Sequence, residues 1–526
     1  MFDTVLTGAV VYDGEHDEGF PADVGIQGDR IAAIGNLTGL PAGETLNCSG
    51  LSVLPGFIDA HTHSDLYLFN DPGHSRAVLQ GVTTEVVGPC GLGVYPLPEN
   101  EFFNYCLYLK GLLGPLPEGI KFASVDEYLN KVSGCAINVA AQISHGAVRM
   151  CAAGFRDVPL TGDYMDAAKR VIETSAFEGA AAFSTGLSYY PATYAPDEEV
   201  VALAHAASKY DLPLVSHCRS VFPDNRYNMD TRYAEFLEIA RMAGCAVHFS
   251  HIKHPRTQAG KPQAFLDDFE QAMNEGLRVT MEMYPYPSGA GFAVVFLPGW
   301  VLDGGFHTAL ERIRNGQLHD RLLSDLAEKH EQIEVGEITY SENHSELVGK
   351  TFAQAGAARG QTCEETLLWL LSEESLAVGY RARPPISAEV LEIYVRDYAY
   401  LISKPYFVLG SDSEPSHTLA HPRTSGTFPR MARLAREAGV SLGVFAQAAS
   451  SRSARIFGLR DRGVIREGAY ADLVVIREQE IAENCSYEKP NIPPSGIVHV
   501  FVNGNATVRD SKVTGLLPGR GLRRGK

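Results

Sequence analysis

Between residues 55 and 460, short apolar runs alternate with longer stretches whose apolar positions recur at helical spacing. The runs are Val53–Ile58, Val82–Gly88, Ala136–Ile143, Ala180–Ser184, Leu214–Ser216, Ala246–Ser250, Val279–Tyr284 and Tyr406–Gly410. Helix-period stretches at Met165–Glu178, Glu198–Lys209, Tyr233–Ala243 and Leu266–Glu275 separate the later ones. Strand–helix alternation of this kind builds a parallel sheet, so the fold class is α/β. Eight such units predict a closed (β/α)8, TIM-like barrel with its reactive groups at the carboxyl ends of the strands. An open doubly wound sheet is the alternative. Residues 289–349 interrupt the alternation and are expected to be an insertion on the catalytic face.

The two chain ends have a different texture. Residues 1–54 carry short β-rich runs broken at Gly8 and turned at Gly28-Asp29; residues 461–526 carry similar runs, with a turn at Asn503-Gly504. Each end alone is too short to bury a core, so the two are expected to pair into one small β domain beside the barrel of residues 55–460. The net charge of -18 over 526 residues argues against a general binder of nucleic acid or anionic membrane. No apolar run is long enough to cross a bilayer, and no basic segment precedes an apolar stretch at the N-terminus, so no signal peptide is expected. Nine cysteines without framework spacing fit reduced thiols and a cytoplasmic location. The basic end, Arg520 to Lys526, reads as a solvated tail.

The residues that close the apolar runs are metal-ligand types. The first runs into His61-Thr-His63, and residues two apart on a strand point the same way, so both imidazoles project together. The second ends in Gly88-Pro-Cys90-Gly, the third at Ser144-His145, the next ones at Ser216-His217 and Ser250-His251, then Tyr284-Pro-Tyr286, and the last at Gly410-Ser-Asp412. Ligand-type residues placed repeatedly just after apolar runs are hard to explain by packing and point to a zinc-like ion. Cys90 sits at a bend where its side chain points at the site, and a thiolate is a strong zinc ligand. Cys218 is a rival beside His217, but its odd spacing faces it away; a nucleophilic role for Cys90 is a further option. Asp412 is read as the general base, able to take a proton from an attacking water and return it to a leaving amine.

These residues resemble the amidohydrolase superfamily, in which Pro55-Gly-Phe-Ile-Asp-Ala-His-Thr-His-Ser-Asp65 matches the first-strand motif. Within it the chain most resembles the N-acyl-D-amino-acid deacylases, or D-aminoacylases. That rests on Gly88-Pro-Cys-Gly, Ser144-His-Gly-Ala-Val-Arg149, Ser184-Thr-Gly-Leu-Ser-Tyr189, Tyr284-Pro-Tyr286 and His421-Pro-Arg-Thr-Ser-Gly-Thr-Phe-Pro-Arg430. The resemblance implies zinc-dependent hydrolysis of N-acyl-D-amino acids. It implies one tight zinc site at Cys90, His217 and His251, a second, weaker one to which His61 and His63 contribute, and Asp412 as the catalytic aspartate. The partner is then a small N-acyl amino acid, and the oligomeric state stays open. Its carboxylate needs a cation: Lys253, Arg219, Arg381 and Arg383 are candidates, with Tyr284 and Ser288 as donors, and family analogy prefers Lys253 with Tyr284. The chain departs from the family at Ser413, where glycine is usual, at His217-Cys-Arg-Ser-Val, which lacks an acidic residue, and at Tyr380-Arg-Ala-Arg-Pro-Pro. Cyclic-amide hydrolysis, as in hydantoinases, and a non-catalytic barrel are the competing readings.

Overall fold

The computed structural model describes residues 1–219, 232–253, 258–383 and 387–526. Eight strands pair in parallel in chain order. Phe57–Thr62 pairs Val82–Val87, which pairs Asn138–Ala141. After one residue the same segment continues as Ile143–Ser144, which opens a second parallel run through Phe183–Gly186, Leu214–His217, Val247–Phe249, Val279–Met283 and Phe407–Leu409. A parallel bridge between Thr62 and Ser413 brings the end of the last strand back beside the first. Most of these strand residues are buried, as parallel strands covered on both faces require. Helices intervene at Asp163–Glu178, Asp197–Ser208, Arg232–Ala243 and Pro262–Asn274, close to the expected stretches.

The run expected as one strand, Val53–Ile58, is two. Ser52–Pro55 belongs to a different sheet from Phe57–Thr62, and Gly56 divides them. A Cβ at Gly56 would lie 2.2 Å from the Thr83 hydroxyl, and the Gly56 N–H is held by the Asp472 carbonyl. The chain changes partner there, so continuous apolar sequence does not give continuous pairing.

The nine-stranded sheet is built from both chain ends. Phe2–Val11, Phe20–Gln27, Arg30–Gly35, Ala42–Asn47 and Ser52–Pro55 come from the N-terminal side; Leu473–Ile476, Ile497–Val502, Asn505–Arg509 and Lys512–Val513 come from the other. The seam is the antiparallel pair of Leu473–Ile476 with Ser52–Pro55. Leu6, Val24, Val53, Leu473, Val475 and Phe501 pack in one apolar cluster across it.

The excursion expected at 289–349 holds Ala290–Phe292 and Glu337–Tyr340, but both pair with Gly379–Arg381, so it continues past residue 349. The basic C-terminus is not a solvated tail. Gly521–Leu522 pairs with Asn138–Ala141, and a Cβ at Gly519 would lie 1.8 Å from the Ile137 carbonyl oxygen. Arg520 meets Asp29 at 2.7 Å, Arg523 meets Asp126 at 2.5 Å, and Arg524 donates to the carbonyls of Ala181 and Ile456. In an acidic chain the basic end finds carboxylates far away in sequence.

Candidate metal centre

Parallel strands deliver their carboxyl ends to one face, and the metal-type residues collect there. His61 lies in Phe57–Thr62 and His63 just after it. Cys90 sits in the turn Pro89–Gly91 that follows Val82–Val87; His217 ends Leu214–His217; His251 follows Val247–Phe249; Asp412 follows Phe407–Leu409. Asp412 is brought to the histidine pair by the backbone, its N–H donating to the His61 carbonyl at 2.8 Å while the His63 N–H donates to Ser413 at 2.9 Å. Cys90, His251 and Asp412 all have positive φ, at 56°, 33° and 54°. Left-handed backbone at non-glycine residues is held only when its surroundings impose it, and it gathers at functional sites. Gly88 makes the turn before Cys90 feasible, with φ 75° and no room for a Cβ, which would stand 2.8 Å from the Tyr95 hydroxyl.

Cys90 Sγ lies 3.4 Å from His61 Nε2, 3.5 Å from His217 Nδ1 and 3.6 Å from His251 Nε2. Asp412 Oδ1 lies 3.4 Å from His61 Nε2 and 3.3 Å from His63 Nε2. Two donor groups, Cys90 with His61 and His251 and Asp412 with His61 and His63, therefore share His61, and His217 approaches the first through Cys90 Sγ. A zinc ion bound to sulfur at ~2.3 Å and nitrogen at ~2.0 Å separates those donors by about 3.5 Å, the spacing Cys90 already keeps. His217 Nδ1 and His251 Nε2 are closer, at 2.7 Å. Burial pushes the Cys90 thiol up to about 11, although His61 opposes this, and burial pushes His251 down to about 3. A neutral imidazole with a free lone pair and a thiol that ionises only beside a cation suit a thiophilic divalent ion. Cys218 packs against the apolar core instead.

Glu282, in the strand Val279–Met283, carries no role in the sequence reading. It is completely buried and accepts from His61 Nδ1, from His248 Nε2 at 3.1 Å and from the His251 N–H at 3.3 Å. Burial disfavours its charge, but His61 and His248 outweigh that and hold it well below the usual carboxylate range. A carboxylate on one ring nitrogen fixes the tautomer and leaves Nε2 facing the site. The signal was a lone acid in an apolar strand, which must find partners.

Against this geometry, a profile described as the Amidohydrolase family matches residues 44–292 and 393–508. The chain belongs to the amidohydrolase family. It is 31% identical to an N-acyl-D-glutamate deacylase of Alcaligenes xylosoxydans xylosoxydans, covering 99% of this chain and 96% of that one. The crystal structure of an N-acyl-D-glutamate deacylase from Bordetella bronchiseptica, complexed with zinc and a phosphonate mimic of the tetrahedral intermediate, superposes with TM-score 0.82 at 29% identity over 99% of both chains. A D-aminoacylase with a binuclear metal centre, described by one-metal activation and second-metal attenuation, superposes with TM-score 0.80 at 28% identity over 100% of both chains.

In this amidohydrolase Asp412 is gripped from behind. Arg423 Nη1 stands 2.6 Å from Asp412 Oδ2 and donates to the Tyr284 hydroxyl at 2.8 Å; Nη2 donates to Glu414 at 2.8 Å. Burial opposes the Asp412 charge, but Arg423, followed by the histidines, holds its carboxyl well below the usual range. Arg423 and Glu414 were missed as individuals, because their meeting depends on a tertiary turn.

Lys253 Nζ lies over the Tyr284 ring, 5.3 Å from its centre. An added Cβ at Gly289 would stand 3.0 Å from Lys253 Nζ, 3.5 Å from the Tyr284 hydroxyl and 3.9 Å from Arg423 Nη1, so three donors surround one glycine. Ser288 bonds His421 at 3.1 Å and also Tyr487. Arg383 is not drawn into this group. It is half exposed and pairs with Glu337 at 3.0 Å and Glu488 at 3.3 Å, because the excursion's sheet carries it outward. Arg381 is buried on Glu337 at 2.9 Å, and Arg219 pairs with Glu235 and Asp197. Ser220, Val221, Pro384 and Pro385, where the chain departs from the family, lie outside the described residues.

Proposed function

We propose that this chain hydrolyses the amide bond of N-acyl-D-amino acids in a zinc-dependent reaction, releasing a carboxylate and a free D-amino acid. The observation that carries the reading is the convergence of Cys90, His61, His63, His217, His251 and Asp412 on one face, in a chain similar over its length to deacylases of such substrates. Cys90, His217 and His251 would hold the tight ion, and His61 and His63 would contribute to a second, weaker one. The chemistry a zinc ion supplies in such a donor set is polarisation of the amide carbonyl and acidification of water.

The chain's own groups do the rest. Asp412 Oδ1 takes a proton from the attacking water and delivers it to the amine nitrogen as the carbon–nitrogen bond breaks. Arg423 keeps Asp412 ionised and oriented through Oδ2. Glu282 holds the His61 ring. Lys253 and Tyr284 pair with the substrate carboxylate, with Ser288 supporting through His421; Arg383 is withdrawn from this list by its ion pairs. The architecture that supports the chemistry is a closed (β/α)8 barrel over residues 55–460, with a small β domain of residues 1–54 and 461–526. A cytoplasmic location is part of the proposal, supported by nine cysteines with no disulfide between them; no helix of the described residues is long and apolar enough to cross a membrane.

The test is amine release from matched N-acetyl D- and L-amino acids. Turnover of D-forms that stops on chelation and returns with zinc is expected. Turnover of L-forms alone, or rates indifferent to chelation, would overturn the proposal.

A further inference from the structure

Among the described residues, one further group of metal-type side chains comes together away from the strand ends. It lies in the excursion, where His330 opens the helix His330–Val335, and Cys363 and Glu364 open the helix Cys363–Glu373. His330 Nδ1 stands 3.5 Å from Cys363 Sγ and 2.5 Å from Glu364 Oε1, and the three donor atoms all lie within 4.8 Å of one another. Packing holds the two segments in place. Ile333, one turn after His330, is buried in the same apolar cluster as Cys363, Leu367 and Leu371. The Thr362 hydroxyl accepts from the Glu365 N–H at 3.2 Å, and the Glu365 carboxylate accepts from the Thr362 N–H at 2.8 Å. That reciprocal cap fixes the backbone that carries Cys363 and Glu364. Both of these are buried, whereas the His330 side chain is 53% exposed. The donors are therefore assembled, with one side open to water.

Sulfur, imidazole and carboxylate together suit zinc or cobalt rather than magnesium or calcium, which take oxygen ligands. Nitrogen and sulfur bound to one zinc ion stand about 3.5 Å apart, the spacing His330 and Cys363 keep. The nitrogen–oxygen pair is closer because a proton is shared across it. An ion in that place needs the pair to open by about 0.8 Å, which the exposed imidazole can provide. Glu334, one turn along, has its carboxylate 3.9 Å from His330 Nε2. A proton is favoured on that nitrogen, which leaves Nδ1 to bind. Thiolate and carboxylate bring two negative charges, and a divalent ion neutralises both.

We propose that His330, Cys363 and Glu364 form an accessory zinc site, with water as the fourth ligand, that pins two helices of the excursion together. It is separate from the centre at Cys90 and weaker than it. Burial, with Glu364 beside it, pushes the Cys363 thiol up to about 12, above Cys90 at about 11, and Glu364 also raises His330. The ion must therefore send to solvent a thiol proton that is held more firmly.

The experiment titrates the metal-free, full-length chain with cobalt, whose bond to a thiolate gives an intense near-ultraviolet charge-transfer band. Each centre holds one cysteine, so Cys90→Ser isolates the accessory one. In Cys90→Ser the band is expected to persist and saturate, and in Cys90→Ser combined with His330→Ala it is expected to vanish. His330 is exposed, so its loss spares the fold. After equilibrium dialysis against zinc, His330→Ala alone is expected to hold one zinc per chain fewer than the wild type, with kcat unchanged. This comparison reads the site even where Cys90→Ser does not fold. Absence of the band in folded Cys90→Ser, a band that survives the added His330→Ala, or equal zinc content in wild type and His330→Ala would each overturn the inference. The deacylase reading is tested by turnover and is untouched by any of these results.

Discussion

Arg423 Nη1 holds Asp412 Oδ2 at 2.6 Å, and this contact turns the other oxygen, Oδ1, toward His61 and His63 at 3.4 and 3.3 Å. One carboxylate is thus divided into an anchored oxygen and a working one. Asparagine at this position keeps the shape and loses the proton acceptor. Asp412→Asn is expected to lower kcat by about 10³, with the zinc held by Cys90, His217 and His251 still present by elemental analysis. A kcat within tenfold of wild type would remove Asp412 from the proton transfer.

Metal uptake has its own signature. The Cys90 thiol is pushed up to about 11, first by burial, so it carries its proton at neutral pH before an ion arrives. Binding needs the thiolate, and the proton must leave. Calorimetric titration of the chelated protein with zinc, in buffers of different ionisation enthalpy, is expected to report release of at least about one proton per ion at pH 7. In Cys90→Ser the release and the tight binding are expected to disappear together. Tight uptake without proton release in the wild type would contradict this assignment of the sulfur.

Gly289 offers a probe of substrate positioning that leaves the metal ligands alone. A methyl group there would lie 3.0 Å from Lys253 Nζ and 3.5 Å from the Tyr284 hydroxyl, where the proposed carboxylate cradle needs room. Gly289→Ala is expected to raise KM about tenfold with kcat nearly unchanged, the pattern of lost uniform binding. Lys253→Met should do the same, and neither variant should matter for an N-acetyl-D-amino-acid amide, which lacks the carboxylate. Equal damage to both substrates would place the lesion elsewhere.

The legible parts of this molecule are those whose cause is local. Apolar runs such as Val82–Val87 are strands because burial on both faces demands such sequence, and the polar residues after them are visible because they break the run. Gly56 was not legible as a boundary, since the change of partner there depends on Thr83 and Asp472. The C-terminal arginines read as solvated because Asp29, Asp126 and Asp211 are distant in sequence. Glu282 could have been singled out as an acid in the middle of Val-Thr-Met-Glu-Met. Arg423 and Glu414 stand nine residues apart, and only the folded turn makes them a pair.

The ion pair of Arg381 and Glu337 ties the excursion's sheet together, and its dependence on pH can be signed. Burial raises the Glu337 carboxyl, but the hydrogen bonds and charges of Arg383 and Arg381 outweigh it and leave it below the ordinary glutamate value. A carboxyl whose folded pKa is depressed adds stability above the unfolded pKa, about 4.3, and loses it as pH falls through the folded value. Arg383 is 51% exposed and screened by water, so the buried Arg381 carries most of the effect. Glu337→Gln leaves that guanidinium buried without its counter-charge, at a cost of about 3 kcal/mol near pH 7. In urea unfolding the gap between wild type and variant is expected to hold from pH 7 to about pH 5 and then narrow toward pH 4 and below, as the wild-type carboxylate takes up its proton. A gap that widens on acidification would mean that Glu337 is neutral in the folded protein at pH 7, and the sheet would owe its stability to packing alone.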